Sequence, residues 1–312
     1  KIVTGILNQS PIQYIARPHV LFEGGTIMYG KPGKGKTFTA LAIALAVHTG
    51  NNDYWGTAKE YVGKTLFVNL ERPEDSIPHR IGAVSNALSL DTDTNLHVLD
   101  SKQSTLMGIH DVLVNYIYEN DIKFVVIDSL TQAGNGDMKE DTTAVDTLKI
   151  LNRIGVSWLG IAHTPKYDDS VYYGNAMWEA GADVMLRHKA EMNEDDGSIN
   201  VLLEVTKAND MPVPVPMGLH YEFNEYGLNS IRKAKSHEVA SLQEDKYSFE
   251  DDVLGYIGKH GECNLVEIAN HFNKTKTFVS EIVRALYKDK HLVATKVENK
   301  EQYYGLAYKS AV

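Results

Sequence analysis

The chain has 312 residues, of which 43% are hydrophobic and 23% are charged, so it has the composition of an ordinary globular protein. This length is enough for one large domain and one small domain. The formal net charge of −10 argues against a surface coated with basic patches for nucleic acid, although a local basic channel is compatible with it.

Hydropathy and cysteine content narrow the class of protein further. No apolar run approaches the roughly 20 residues that cross a bilayer, and the first residues lack a signal-peptide pattern, so we expect a cytoplasmic protein without a membrane partner. The single cysteine, Cys263, cannot form an internal disulfide, and the lack of a second cysteine argues against a structural zinc site. The segment from Lys246 to the end contains ten Lys and Arg residues and nine Asp and Glu residues. The net negative charge therefore comes from the residues before Lys246.

A phosphate-binding motif is the most specific feature of the sequence. Residues 30–37 read GKPGKGKT and match the P-loop pattern G-x-x-x-x-G-K-[ST] at every fixed position. A short apolar strand is predicted before the motif (25–29) and an Ala- and Leu-rich helix after it (38–47), which is the order that the motif requires. Its glycines let backbone N–H groups converge on phosphate oxygens. We predict nucleotide contacts at Gly30, Lys31, Pro32, Gly33, Lys34, Gly35, Lys36, Thr37 and Phe38, with Lys36 on the β- and γ-phosphates and the Thr37 hydroxyl on Mg²⁺.

Three further candidates follow buried strands of the predicted sheet. Glu71 comes directly after the apolar run 65–70, Asp128 ends a second run, and His163 follows a third. Because the carboxyl ends of parallel strands meet at one edge of the sheet, these side chains are expected beside the P-loop. There Glu71 would polarise the attacking water, Asp128 would face the Mg²⁺ shell, and His163 would touch the γ-phosphate. The alternatives are a solvated loop acid for Glu71 and a structural role for His163.

The order of elements predicts an α/β fold. Strand and helix patterns alternate up to about residue 224, which favours a mainly parallel sheet with helices on both faces. We therefore predict a P-loop domain over residues 1–230 and, because the next stretch is polar and lacks a clear period, a linker over 231–246.

The remaining residues, 247–312, predict a small second domain. Three helical stretches are followed by two strand-like pieces, which is the order of a winged helix-turn-helix. Its third helix, 276–288, would be the recognition helix, and a protein-contact module of the same shape is the alternative. Candidate contacts to phosphates or bases are Lys274, Lys276, Thr277, Ser280 and Arg284.

The set of motifs resembles the RecA-fold hexameric ATPases, and most closely the plasmid RepA and DnaB-type replicative helicases. The segments that carry this resemblance are Gly30 to Thr37, Leu70-Glu71, Val126-Ile127-Asp128-Ser129, Ile161-Ala162-His163 and Val205-Thr206-Lys207. The resemblance covers roughly residues 20 to 225. It implies a RecA-like P-loop NTPase that forms a ring, such as a homohexamer, with ATP and Mg²⁺ between neighbouring subunits and single-stranded DNA in the centre.

Carried over residue by residue, the resemblance implies catalytic roles for Lys36, Glu71, His163, Arg80 and Lys207. Arg80 occupies a helix position where these helicases can place a site arginine. Lys207 corresponds to the first member of the Lys-x-Arg pair that a neighbour inserts into the site, but the second member here is Asn209. Either Lys207, Arg187 or Arg232 substitutes for the missing arginine, or hydrolysis is slow.

Three functions agree with this pattern. The first is an ATP-driven DNA helicase or translocase in the replication of a phage, plasmid or similar element. The second is a RecA-like recombinase or recombination mediator, which would form a filament rather than a ring. The third is an ATP-dependent regulator or helicase loader whose winged helix selects a duplex DNA or protein target. The sequence leaves ring and filament open because both place the nucleotide between subunits.

Overall fold

The structure is a computed structural model that describes residues 11–90, 94–164, 174, 176–225, 227–243, 249–272, 274–288 and 290–307. It divides into two compact units, Lys1–Leu242 and Gln243–Val312. Among the described residues, no helix combines the length and the apolar composition that a membrane span requires.

Unit 1 alternates strands and helices through most of its length. Its strands are β1 (Tyr14–Ala16), β2 (Val20–Leu21), β3 (Gly25–Gly30), β4 (Thr65–Asn69), β5 (His97–Asp100), β6 (Phe124–Asp128), β7 (Ser157–His163), β8 (Val184–Met192), β9 (Ile199–Ala208), β10 (Met217–Asn224) and β11 (Gly227–Lys233). Its helices are α1 (Lys36–Thr49), α2 (Ser76–Ala87), α3 (Leu106–Glu119), α4 (Leu130–Ala133), α5 (Asp141–Arg153), α6 (Ala176–Gly181) and α7 (Ala240–Gln243), the last of which crosses into unit 2 by one residue.

Nine of these strands form one sheet in the order β11-β10-β9-β8-β3-β7-β6-β4-β5. The six strands from β8 to β5 are parallel to their neighbours, whereas β9, β10 and β11 add an antiparallel extension beside β8. The predicted mainly parallel α/β sheet is therefore confirmed. Because β3, β4, β6 and β7 run in the same direction, their carboxyl ends lie at one edge.

Both faces of the sheet are covered by helices, which explains why the central strands are apolar without alternation. In β6, Phe124 and Val126 belong to the core under α1 and α2, while Val125 and Ile127 belong to the core under α3 and α5. Successive side chains of a strand point to opposite faces, so a strand buried on both sides must be apolar at each position.

The predicted linker over 231–246 is wrong at its start. Residues 227–233 form β11, which pairs with β10, and Ile231 is 4% exposed in the core. The Tyr54 hydroxyl donates to the Ile231 carbonyl at 2.7 Å, and the Arg232 guanidinium makes two hydrogen bonds with the Glu238 carboxylate at 2.7 and 2.8 Å. The buried residues Leu228 and Ile231 are three apart, so this strand lacks the alternation that identifies a strand in sequence.

The described residues of unit 2 form three helices and a small antiparallel sheet. The elements are α8 (Phe249–His260), β12 (Cys263–Asn264), α9 (Leu265–His271), α10 (Lys276–Lys288), β13 (Leu292–Glu298) and β14 (Glu301–Leu306), with the sheet order β12-β14-β13. The free thiol of Cys263 is buried in the core of this unit. Asn264 caps α9, since its Oδ1 accepts hydrogen bonds from the N–H groups of Val266 and Glu267. The third helix, α10, coincides with the range 276–288 expected from the sequence.

Candidate nucleotide-binding site

The P-loop connects the end of β3 to the first turn of α1. Gly33 and Gly35 have φ values of 72° and 89°, a left-handed region that favours glycine. A Cβ atom on Gly30 would approach the His188 carbonyl oxygen to 2.3 Å, so this position also requires glycine. The loop shape therefore depends on three glycines, two through backbone conformation and one through close packing.

Lys36 is folded back against the loop that precedes it. Its Nζ atom donates to the carbonyl oxygens of Gly30 at 2.6 Å and Lys31 at 2.7 Å, and the residue is 5% exposed. Burial lowers the pKa of Lys36 to about 8, and the negative charge of Asp128 partly opposes that shift. Two of the three ammonium hydrogens are used, so one is available to an anion in the loop.

Thr37 and Asp128 form one side of the site. The Thr37 hydroxyl donates to Asp128 Oδ2 at 2.9 Å, and burial raises the pKa of Asp128 to about 6. Within the described part of the chain, no cluster of three or more His, Cys, Asp or Glu could hold a metal by itself. A hydroxyl and one carboxylate beside a phosphate loop fit Mg²⁺, which takes one or two protein oxygens and completes its shell with phosphate and water.

Glu71 and His163 lie together next to the P-loop. The Ser129 hydroxyl donates to Glu71 Oε2 at 2.6 Å, and His163 Nε2 is 3.9 Å from the same oxygen. Burial, followed by the positive charge of Lys36, lowers the pKa of His163, so the imidazole is neutral near pH 7. The Glu71 side chain is 30% exposed, which leaves its carboxylate accessible to water. This arrangement can accept a proton from a water molecule held in front of a γ-phosphate.

These groups surround a cavity of about 180 Å³. It is lined by Gly33, Gly35, Lys36, Thr37, Phe38, Glu71, Arg72, Arg80, Asp128, Ile161 and His163. The expected convergence of strand ends and P-loop is therefore present. Gly30 and Lys31 contribute through their carbonyl oxygens to Lys36, whereas Pro32 and Lys34 lie on the loop but are not among the lining residues.

Arg80 and Phe38 form a flat cationic and aromatic surface beside the phosphate loop. The Arg80 guanidinium carbon lies 4.8 Å from the centre of the Phe38 ring, and Arg80 Nε donates to Ser76 Oγ at 3.2 Å. The Phe223 ring meets the Phe38 ring edge-on, with 5.9 Å between centroids. A planar base can stack on such a surface while its phosphates occupy the loop.

Lys207 is not part of its own chain's cavity. It lies on β9 opposite Met185, near the start of β8, and hence at the sheet edge opposite the P-loop. Its Nζ atom donates to the carbonyl oxygens of Glu179 and Ala182. A contribution of Lys207 to the site of a neighbouring chain stays a prediction.

The other residues discussed for the missing arginine also lie outside the cavity. Asn209 Nδ2 donates to Asp183 Oδ1 at 3.3 Å, and the Arg232 guanidinium is paired with Glu238. Arg187 is 7% exposed in β8, where its backbone pairs with Tyr29. In this chain, therefore, neither arginine lines the cavity that holds the P-loop.

Arg72 is the lining residue that the sequence patterns do not indicate. It lies one residue past Glu71, on a turn whose N–H and carbonyl groups are bound by the Asn69 side chain. The signal available in the sequence was an arginine directly beside the candidate catalytic acid at a strand end.

The comparisons with known proteins agree with this site. No curated protein matches the chain. The AAA domain family AAA_25 matches residues 8–169, slightly more than half of the chain, and this range includes the P-loop, Glu71, Asp128 and His163. Together with the large, mainly parallel sheet, the match fits a RecA-like P-loop fold and supports nucleotide binding and ATPase activity. The chain therefore belongs to the AAA domain family.

Proposed function

We propose that the protein is an ATP-driven DNA helicase or translocase that acts on single-stranded DNA as a ring oligomer, such as a homohexamer, in the replication of a phage, plasmid or similar element. The observation that carries the hydrolytic part is the position of Glu71 between Ser129 and His163 at the mouth of the P-loop cavity. A site that only binds nucleotide has no need of a carboxylate held there.

Each residue of the site has a separate task in this proposal. Lys36 and the P-loop N–H groups bind the phosphates, and Glu71 accepts a proton from the attacking water. His163 touches both the γ-phosphate and Glu71, so it senses whether the phosphate is present. Thr37 and Asp128 would hold Mg²⁺, which neutralises phosphate charge when bound.

The position of Lys207 supports an assembly with subunits arranged head to tail. In such a ring, the sheet edge that carries Lys207 faces the P-loop edge of the next subunit. Lys207 would then exchange its carbonyl partners at the end of α6 for the γ-phosphate of the neighbour.

In this proposal unit 2 is a winged helix-turn-helix that binds DNA or a partner. Its order of three helices followed by the β13 and β14 hairpin is the order of that motif. On α10, Thr277 and Arg284 are exposed and available to phosphates or bases, whereas the Lys276 ammonium is paired with Glu301 at 2.7 Å. The near balance of charge in this part of the chain suits a brief contact with duplex DNA rather than a strong one.

A regulator or helicase loader is the second candidate, and two observations favour it. Asn209 replaces the arginine that fast motors place between subunits. In addition, Phe278 and Tyr287 on α10 are 41% and 49% exposed, and exposed aromatic side chains are typical of protein contacts. In this case unit 2 would bind a protein, and ATP would time the release of that protein.

The test is ATP hydrolysis with and without single-stranded DNA, measured on the native chain and on Lys36→Ala, with mass photometry of the same samples. A motor predicts a ring-sized oligomer whose turnover is strongly stimulated by DNA and is abolished by Lys36→Ala. If the native chain binds and hydrolyses ATP at a rate that DNA does not change, the helicase proposal fails and the regulator or loader replaces it.

A further inference from the structure

One arginine inside the cavity has a fixed backbone and no assigned task. Arg72 lines the cavity together with Lys36 and His163. Asn69, the last residue of β4, binds the turn from both sides: its Oδ1 accepts from the Arg72 N–H at 2.9 Å, and its Nδ2 donates to the Arg72 carbonyl oxygen at 2.9 Å. The guanidinium is therefore carried by a backbone that cannot easily swing away from the P-loop.

The guanidinium of Arg72 has an unused hydrogen-bond donor that an anion could satisfy. Its Nε atom is enclosed and, among the described residues, lacks a hydrogen-bond partner. A buried donor of a charged group is costly when it has no acceptor, and a phosphate oxygen is the acceptor for which a guanidinium is best shaped. Because Arg72 lines the same cavity as Lys36, a phosphate bound in the P-loop is a suitable acceptor for its guanidinium.

The charge of Arg72 also acts inside the cavity. Burial is the main cause of the lowered pKa values of Lys36 and His163, and the positive charge of Arg72 lowers both further. Lys36, Arg72 and Arg80 are therefore positive groups concentrated around one small space. A triphosphate would supply the negative charge that this group of cations needs.

In the proposed ring, the position at which the resemblance to the RecA-fold hexameric ATPases implies an arginine from the neighbouring subunit holds Asn209. Lys207 is the one remaining cation of that pair, and an ammonium lacks the fork of donors with which a guanidinium binds two phosphate oxygens at once. An arginine on the γ-phosphate typically accelerates hydrolysis by about 10³- to 10⁵-fold. Without this group between subunits, fast hydrolysis requires another source of the same charge.

We propose that Arg72 binds the γ-phosphate of the ATP held by its own chain and supplies, in cis, the positive charge that Asn209 cannot supply from a neighbour. This inference rests on the proposed ATPase function. In the reaction, the water oxygen bonds to the γ-phosphorus, the bond from that phosphorus to the bridging oxygen breaks with its electron pair left on ADP, and Glu71 takes a proton from the water. The N–H groups of Arg72 donate to the γ-phosphate oxygens throughout this step.

The first test is equilibrium binding of ADP and of a non-hydrolysable ATP analogue. We expect Arg72→Ala to weaken the triphosphate about tenfold or more and to leave ADP almost unchanged, with Arg72→Lys in between, since a single charge replaces a bidentate donor. The exposed Arg153 provides the matched control, and Arg153→Ala should change neither affinity. An equal loss for both nucleotides would overturn a contact specific to the γ-phosphate.

The second test distinguishes cis from trans action by mixing two inactive variants. Arg72→Ala lowers kcat by about 100-fold or more, and Lys36→Ala removes phosphate binding. If Arg72 acted on the neighbour's ATP, mixed rings would regain turnover, because a Lys36→Ala subunit would lend its Arg72 to an Arg72→Ala site. We expect no recovery. Recovery of turnover in the mixed rings overturns the cis assignment. Undiminished turnover of Arg72→Ala overturns this inference but leaves the proposed function intact. A native chain that hydrolyses no ATP overturns the proposed function itself.

Discussion

The buried carboxylate of Asp128 should cost the free protein stability at neutral pH. Burial raises its pKa from the ordinary value of 3.8 to about 6, and its partner in the site is the neutral Thr37 hydroxyl. Asp128→Asn removes the charge but keeps an oxygen that can accept from Thr37. We therefore expect the variant to be more stable than the native chain and unable to support Mg²⁺-dependent hydrolysis.

The size and sign of this effect follow from proton linkage. The pKa of Asp128 is higher in the folded protein than in the unfolded chain, so the folded protein is stabilised by the protonated carboxyl group. This contribution of Asp128 is complete below pH 3.8 and is lost as pH rises through 6. A difference of about two pKa units corresponds to about 3 kcal/mol well above pH 6, which is an upper limit because the buried site can relax. The gain of Asp128→Asn should therefore approach zero near pH 4 and reach its full size by pH 8.

The assay is denaturant unfolding of nucleotide-free and Mg²⁺-free protein between pH 4 and pH 8. The free energy of unfolding of Asp128→Asn, relative to the native chain, should increase with pH by about 1 to 3 kcal/mol. Asp146→Asn is the matched control, since its carboxylate is 67% exposed, and it should change stability by less than about 0.5 kcal/mol at every pH. A gain for Asp128→Asn that is the same at pH 4 and pH 8, or a loss at pH 8, would refute the assignment of a buried charge.

Three further substitutions test the geometry of the two units. Gly30→Ala places a Cβ atom 2.3 Å from a backbone carbonyl oxygen. In thermal melts it should lower the free energy of unfolding by about 1 to 3 kcal/mol, and it should also weaken ATP binding. The control Gly82→Ala, on open helix surface, should be neutral or stabilising in the same melts. Phe38→Ala removes the ring under Arg80. Calorimetry should show that the Kd of ATP rises about three- to tenfold while the Kd of tripolyphosphate stays the same. An equal loss of affinity for both ligands would argue against base stacking. Asn264→Ala removes the N-cap of α9 and should cost about 1 kcal/mol, seen as faster hydrogen exchange in that helix; unchanged exchange would contradict the capping role.

Much of the site was predictable because its parts are local in sequence. The P-loop is one contiguous motif, Asp128 ends a short apolar run, and Glu71 and His163 each come after one, a pattern that predicts a buried strand in each case. The parallel arrangement then brings their positions to one edge without knowledge of any long-range contact. Short apolar runs thus indicate the strands, and the parallel topology brings the site residues together.

The parts that were missed depend on contacts between distant residues. β11 is ordered by its pairing with β10 and by the Tyr54 hydroxyl, which is 177 residues away from the carbonyl that it binds. The side chain of Arg72 enters the cavity because Asn69 fixes the turn, and a hydrogen bond of this kind leaves no periodic trace in the sequence. The contribution of Lys207 to the site of a neighbouring chain stays a prediction, and its position at the edge opposite the P-loop is given by the antiparallel pairing of β9 with β8.

A strand-displacement assay tests the proposal that ATP turnover drives movement along single-stranded DNA. A labelled strand annealed to a tailed template is mixed with the native chain or with Lys36→Ala, in the presence of ATP, ADP or a non-hydrolysable analogue. The proposal predicts that the native chain displaces the strand with ATP alone and that Lys36→Ala never does. Hydrolysis of ATP by the native chain without displacement from tails of either polarity would contradict it.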